Sequence, residues 1–422
     1  MKYLVILGDG MADRPIDVLG GKTPLEYAST PKMDELASKG EIGMVHTIPD
    51  GMKPGSDTAN LSVLGYDPKK YYSGRSPLEA LSIGVPMKDT DVALRCNIVT
   101  LSEEEDTYEK RHMIDHSSDE ISTEDAAILL EAVKKELEND MFKFYVGTSY
   151  RHCLIWDKGE VVELSQPHDI LGQCIEEYVP TVFGAASSAN NSAVSPDNDS
   201  FNGYQLLYDM MKKSYDILVN HPINVERRAK GLHPANSCWF WGAGTKPALS
   251  SFEEKTGKKG AMISAVDLLK GIAVGASMTN IIVEGADGTL HTNYEGKARA
   301  AVEALTKDNN DFVYVHVEAP DEMGHQGSLE NKIKAIEYLD EKVIKLVKEE
   351  MDKSGEDYRM LIMPDHPTPI YCRTHTSDPV PFMIYDSTKT IKTAEFYNEK
   401  EAKNSGIYLE DGYLIMNRLL EL

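Results

Sequence analysis

Apolar residues recur along this chain in two rhythms. Residues 3–8 (YLVILG), 311–319 (DFVYVHVEA) and 358–364 (YRMLIMP) are short, continuous apolar runs, the pattern of strands buried on both faces of a parallel sheet. Residues 328–351 instead carry Ile333, Ile336, Leu339, Val343 and Leu346 at three- and four-residue steps, which predicts one long amphipathic helix. Thr30 followed by Pro31 predicts a capped helix start over residues 30–36. Alternating strands and helices imply an α/β core around a parallel sheet.

The middle of the chain has a different texture. Residues 91–101 (DVALRCNIVTL), 142–147 and 150–156 (YRHCLIW) predict strands, and 122–138 predicts a helix capped by Ser122 or Thr123. Residues 186–204 are rich in Gly, Ser and Asn and predict a loop. The pattern is that of an α+β domain inserted over 77–235, flanked by "SGRSP" and "GLHPANS", with the α/β core built from 1–76 and 236–422. No internal repeat is present.

Composition narrows the class. The 422 residues carry a net charge of −24, which repels nucleic acid as a partner and means that a phosphorylated substrate needs local metal ions or clustered Arg and Lys. The five cysteines (Cys96, Cys153, Cys174, Cys238, Cys372) form no CxxC pair and point to reduced thiols. The apolar start is too short for a signal peptide or a span, and no later run reaches the ~18 apolar residues that a membrane helix needs. The expectation is a cytoplasmic enzyme without nucleic-acid or membrane partners; the oligomeric state stays open.

The chemistry gathers at predicted strand ends. Asp9 follows the first strand, Asp321 and His325 follow the second ("APDEMGHQG"), Asp365 and His366 follow the third ("PDHPTP"), and His375 comes shortly after ("RTHTSDPVPF"). Ligands of open parallel sheets bind outside the carboxyl ends of the strands. Carboxylates and imidazoles converging there suit a pair of divalent ions. Ser56 opens a predicted helix behind the Gly/Pro-rich "GMKPG". Such a serine is most often a cap, but beside metal ions its hydroxyl becomes a nucleophile, with helix N–H groups to hold a phosphoryl group. His46, His112, His221, His233 and His316 lack this context and read as ordinary.

Taken in order, these residues resemble the alkaline-phosphatase superfamily and, more narrowly, the cofactor-independent (2,3-bisphosphoglycerate-independent) phosphoglycerate mutases of archaeal type. The likeness runs through "GDGMAD", "PGSDTANLSVLGYDP", "YYSGRSPLEA", "ANSCWFWGAG", "ISAVDLLKGIAVG", "TNYEGKA", "VEAPDEMGHQG", "PDHPTP" and "HTSDPVPF". It implies an alkaline-phosphatase-like parallel-sheet core and two divalent metals. One would be held by Asp9, Ser56, Asp365 and His366, the other by Asp321, His325 and His375. Manganese comes first, with zinc, cobalt, magnesium or iron as alternatives, and no 2,3-bisphosphoglycerate is needed. Ser56 would carry the phosphoryl group between the hydroxyls of 3-phosphoglycerate and 2-phosphoglycerate, a step of glycolysis and gluconeogenesis, and Lys270 would lie near it. In the insert, Arg95, Arg151, Arg227 and Arg228 are candidate clamps for this small phosphorylated substrate, and Asp115, His116 or His152 candidate proton shuttles. One segment departs from the archaeal pattern: 112–122 (HMIDHSSDEIS) has no arginine where an Arg-rich "DRRAGR" stretch is expected. It resembles a bacterial branch with a proposed homoserine-kinase-like role. That activity and a plain metal-dependent phosphatase or phosphodiesterase are the enzymatic alternatives on this core; a non-catalytic protein with a structural metal pair ranks last. The absence of a GxxxxGK[ST] loop weighs against a P-loop kinase.

Overall fold

A computed structural model describes residues 1–180 and 203–421. Residues 186–202 of the expected loop lie outside the described residues, and Gly203 and Tyr204 already belong to a helix. The chain forms two compact units, Met1–Tyr72 with Ala248–Leu422, and Ser73–Pro247. The expected boundaries at 76/77 and 235/236 therefore move. The second moves furthest because Ser237–Thr245 is a strand hydrogen-bonded along the length of Val92–Leu101, deep in the inserted unit.

In chain order the strands are β1 (Lys2–Gly8), β2 (Glu41–Val45), β3 (Val92–Leu101), β4 (Met113–Asp115), β5 (Phe142–Tyr145), β6 (Arg151–Trp156) and β7 (Ser237–Thr245), followed by β8 (Gly260–Ile263), β9 (Thr279–Asn280), β10 (Phe312–Val317), β11 (Tyr358–Met363), β12 (Val380–Asp386) and β13 (Tyr408–Leu409). The first unit holds one sheet, ordered β13-β2-β12-β11-β1-β10-β8-β9. The three expected parallel strands sit side by side at its centre: β1 pairs with β10 on one side and β11 on the other. The apolar run 311–319 stops being a strand at Val317, because Ala319 begins the helix Ala319–His325. Only β12 runs against its neighbours, β11 and β2.

Alternate residues of β1 serve two faces. Leu4 and Ile6 join a core built by the helices Pro31–Ala37, Tyr294–Thr306 and Leu329–Ser354. Val5 and Leu7, equally buried, turn to the opposite face. There Ser56–Val63, Asp267–Gly275 and Ile415–Leu420 pack on one another and on β8 and β11. The long helix appears as expected, with a π-helical stretch at Leu339–Ile344. Buried Asp340 lies in that stretch and accepts the N–H groups of Lys32 and Met33, at 3.1 and 2.6 Å. It thereby takes the capping bonds expected of Thr30, whose side chain makes none.

The second unit is an antiparallel sheet with β3 between β6 and β7, β4 at the end of β3 and β5 beyond β6. The helices Thr123–Leu137 and Gly203–Leu218 share a core with Leu94, Cys96, Ile98, Leu154 and Trp156. Ser122 caps the first of them, its Oγ accepting the Asp125 N–H. The helix Arg75–Ser82 packs on β3 and β7.

Candidate metal centre

Topology brings the predicted residues of the first unit to one rim. β1 and β11 end in Gly8 and Met363, so Asp9 and the pair Asp365 and His366 leave the sheet side by side. β10 leads into the helix Ala319–His325, whose pitch sets Asp321 and His325 on one face, Oδ2 and Nε2 3.2 Å apart. Because β12 runs backwards, the loop that precedes it, with His375, lies at this same edge. β2 is parallel to β11 through β12, so the chain leaving Val45 also emerges there and reaches Ser56. Gly10 sits among these loops at φ 59°; a Cβ on it would stand 2.5 Å from Asp321 Oδ1 and Thr368 Oγ1.

Ser56 is the first residue of its helix, and Gly55 holds the capping position. The Ser56 hydroxyl makes no cap bond and lies 3.1 Å from His366 Nε2. The serine is thus turned into the rim. His366 Nε2 is also 3.5 Å from Asp9 Oδ1 and from Asp365 Oδ2. His375 Nε2 lies 3.0 Å from His325 Nε2 and 3.5 Å from Asp321 Oδ1, and the His366 and His375 rings are 4.1 Å apart. Asp365 is oriented by the N–H groups of Gly10 and His366 at Oδ1, 3.2 and 2.9 Å, and by Asn60 Nδ2 at Oδ2, 2.7 Å. The donor atoms fall into two sets spanning at most 4.8 Å, Asp321 with His366 and His375, and Asp9 with His316 and Asp365. His366 stands between them.

The electrostatics of this rim call for added positive charge. Burial, and then the charges of Asp365 and Asp321, push the Asp9 carboxyl well above its ordinary range, and its Oδ1 is buried without a hydrogen-bond partner. Burial works against ionisation of Asp321 too, but hydrogen bonds from His325 and His375 outweigh it and hold that carboxyl well below the usual range. Its bond to Asp321 raises His325 to about 9. Burial lowers His366, favouring the neutral imidazole that a metal ligand must be. Three carboxylates, three imidazoles and an orphaned carboxylate oxygen fit divalent cations, with hard and borderline donors and no thiolate.

Several residues at the site had no sequence motif. His316, set aside as ordinary, lies fully buried in β10 with Nε2 3.1 Å from Asp9 Oδ2. Burial disfavours its charge, but Asp9 and then Glu318 push its pKa up to about 10. The Nε2–Oδ2 approach is a close charge contact and not an aligned hydrogen bond, since Nε2 has no acceptor in line. Asn60 also escaped notice; it accepts from the Tyr314 hydroxyl and donates to Asp365. A signal was there for His316: a titratable ring between valines in a doubly buried strand must find a charged partner.

Lys270 is carried on the helix Asp267–Gly275, which packs on the Ser56 helix. It contacts Asp267 at 3.1 Å and lines a cavity of about 60 Å³ with Ser264, Ala265 and Ile281. The insert residues divide. Arg95 and Arg151 lie on one face of the second sheet, because Arg95 pairs with Cys153 and Arg151 with Asn97. Arg95 stacks 4.4 Å over Trp241 and meets Glu79 at 2.7 Å, and Arg151 lies over Tyr150. His116 and His168 join this cluster, ring to ring at 5.8 Å, with His168 against Trp241. His152 pairs with Cys96 and so points to the opposite, helix-covered face; burial lowers it to about 4. Asp115 spends its carboxylate on the turn that follows, accepting from Ser117 and Asp119. Arg227 donates to the carbonyls of His233 and Ser118, and Arg228 pairs with Glu103. These last three side chains hold the unit's own loops together.

A mainly parallel sheet whose carboxyl rim gathers Asp, His and an uncapped serine defines an α/β protein with a candidate centre for divalent metal ions. A sequence model described as 2,3-bisphosphoglycerate-independent phosphoglycerate mutase matches residues 37–224. The chain is 48% identical to the 2,3-bisphosphoglycerate-independent phosphoglycerate mutase of Methanosarcina barkeri, over 97% of this chain and 96% of that one. It is 46% identical to a probable enzyme of the same name from the bacterium Geobacter sulfurreducens, over the full length of both. Among solved structures, a Pyrococcus horikoshii protein matches with a TM-score of 0.77 at 31% identity, over 100% of this chain and 97% of that one. The chain belongs to the 2,3-bisphosphoglycerate-independent phosphoglycerate mutases, a family of isomerases. Among the described residues, no helix is long and apolar enough to cross a membrane.

Proposed function

We propose that this chain interconverts 3-phosphoglycerate and 2-phosphoglycerate, with Ser56 as the intermediate carrier of the phosphoryl group. The observation that carries this is the Ser56 hydroxyl, free of any capping bond and 3.1 Å from His366 Nε2 at a rim of converging carboxylates and imidazoles. Two divalent ions, manganese first, would be held by Asp9, Ser56, Asp365 and His366, and by Asp321, His325 and His375. The overlapping distances around His366 support two neighbouring sites. When bound, such ions supply Lewis-acid charge that acidifies a hydroxyl and neutralises phosphoryl oxygens.

The chain's own residues then have separate tasks. Ser56 Oγ gives up its proton and attacks phosphorus, the ester oxygen leaves with the bonding pair and takes up a proton, and the serine becomes a phosphoserine. N–H groups of the first turn of its helix face the added negative charge. Lys270 adds a cation on the neighbouring helix. The second hydroxyl of the glycerate, giving up a proton, attacks the phosphoserine and releases Ser56. In the inserted unit Arg95 and Arg151, with His116 and His168, form the cationic and aromatic face suited to a glycerate carboxylate. His116 Nδ1, buried without a hydrogen-bond partner and 3.9 Å from Asp115 Oδ1, is the candidate proton shuttle on this face.

The test is a side-by-side substrate assay. Purified chain with Mn²⁺ and 3-phosphoglycerate, coupled to enolase, should give a steady absorbance rise. ATP with homoserine should give no phosphohomoserine, and 3-phosphoglycerate should release no free phosphate. An inert mutase arm with Mn, Co and Zn alike would overturn the proposal.

A further inference from the structure

Asp9 is held from behind by three buried charged residues that the proposed chemistry does not touch. His316 faces Asp9 with Nε2, 3.1 Å from Oδ2, and faces Glu318 Oε1 with Nδ1, at 3.2 Å. Glu318 is fixed in turn. Its Oε1 accepts from Ser264 Oγ and the Ala265 N–H, 3.1 and 2.7 Å, and its Oε2 accepts from Lys297 Nζ. Lys297 comes from the helix Tyr294–Thr306, is fully buried, and also donates to the His316 carbonyl at 2.8 Å. Lys297 neutralises Glu318, and the imidazole Nδ1 lies 3.2 Å from Glu318 Oε1 and 3.3 Å from Ser264 Oγ, which together fix the plane of the ring. With Oδ2 engaged by His316, the oxygen of Asp9 left over is Oδ1. That is the oxygen with no hydrogen-bond partner, 3.5 Å from His366 Nε2.

We propose that Lys297, Glu318 and His316 form a buried positioning arm that turns Asp9 so that Oδ1 faces the metal centre. The arm rests on the proposed role of Asp9 as a ligand. An ion pair inside a protein costs much of what it gains, so a fully buried Lys297–Glu318 pair set behind an imidazole is a poor device for stability alone. Carboxylate–histidine partners behind a ligand set its orientation, and losing one typically weakens metal binding by about 10- to 100-fold.

The experiment titrates Mn²⁺ into the metal-free full chain by calorimetry and records visible spectra with Co²⁺. The parent should bind two ions. His316→Asn should weaken one of them by about 10- to 100-fold, leave the other unchanged, and alter one set of Co²⁺ bands. Glu318→Gln keeps an acceptor for the ring and should lose less. Thermal melts confirm that each variant is folded; should His316→Asn not fold, Glu318→Gln decides. Unchanged affinities and spectra in the folded variants overturn the arm. A parent that binds no divalent ion overturns the metal-centre proposal, and the arm with it.

Discussion

Ser56 and His316 show how much a single residue type can and cannot announce. Ser56 was legible because Gly and Pro punctuate its approach, and a serine after such a loop is either a cap or a reagent. The structure gives the capping position to Gly55. Ser56→Ala should reduce mutase turnover by at least about 10³-fold, as removal of a nucleophile does. Calorimetry should still find two ions, since the remaining ligands keep their places. His316 gave only the hint of a titratable ring between valines; which groups it meets was not legible, because Asp9, Glu318 and Lys297 are brought to it by the fold. His152 makes the same point in reverse: beside Arg151 it looked like chemistry, yet strand alternation turns it to the other face. Its folded pKa of about 4 lies below the ordinary 6.5. The neutral ring is therefore favoured in the folded chain, and stability should be full above pH 6.5 and fall as pH drops towards 4. The contribution is on the order of 3 kcal/mol. Denaturant melts of His152→Gln should be flatter than the parent between pH 6.5 and 4.

Elements were legible where they are long or doubly buried. The runs behind β1, β10 and β11 predicted the centre of the sheet, and the long helix ran on through its π-helical stretch. The strands β2, β4, β7, β8, β9, β12 and β13 were missed. β2 and β8 are only five and four residues long. β7 (SCWFWGAGT) follows directly on "GLHPANS", the stretch that reads as the end of the insert, and so fell on the wrong side of the expected boundary. β12 begins Val-Pro-Phe, and a proline argues against a central strand, yet Pro381 sits in it between β11 and β2. Loops that cross the rim are equally constrained. Gly10 has a left-handed φ of 59° and no room for a Cβ beside Asp321. Gly10→Ala should cost on the order of 3 kcal/mol of stability and abolish metal binding at Asp321, read by denaturant melts and calorimetry together.

At the scale of the whole molecule, the core does not depend on the ions. The apolar faces of the first unit close over β1, β10 and β11 through side chains such as Leu4, Ile6, Val315 and Ile362. Removing metal with a chelator should leave the far-UV circular dichroism unchanged while lowering the first transition in calorimetry. An ion present at 100 times its Kd adds about 2.7 kcal/mol per site, so the expected drop is about 5–10 °C per site for a unit of this size. A melt that does not move on chelation would contradict the metal centre. The composite nature of the chain was visible from its change of texture after residue 77. What sequence could not supply was the sorting of the second unit's cations, since Arg95, Arg151, Arg227 and Arg228 look alike until each is seen with its partners.

The order of β11, β1 and β10 in the sheet has a biosynthetic corollary. During synthesis β1 waits for both of its neighbours, which are made only from residue 312 onward, and the last of the rim histidines is residue 375. A nascent chain stalled or cleaved anywhere before that point lacks His375 and therefore has no complete second ligand set. The proposed pair of cation sites is therefore completed late in the synthesis of each molecule.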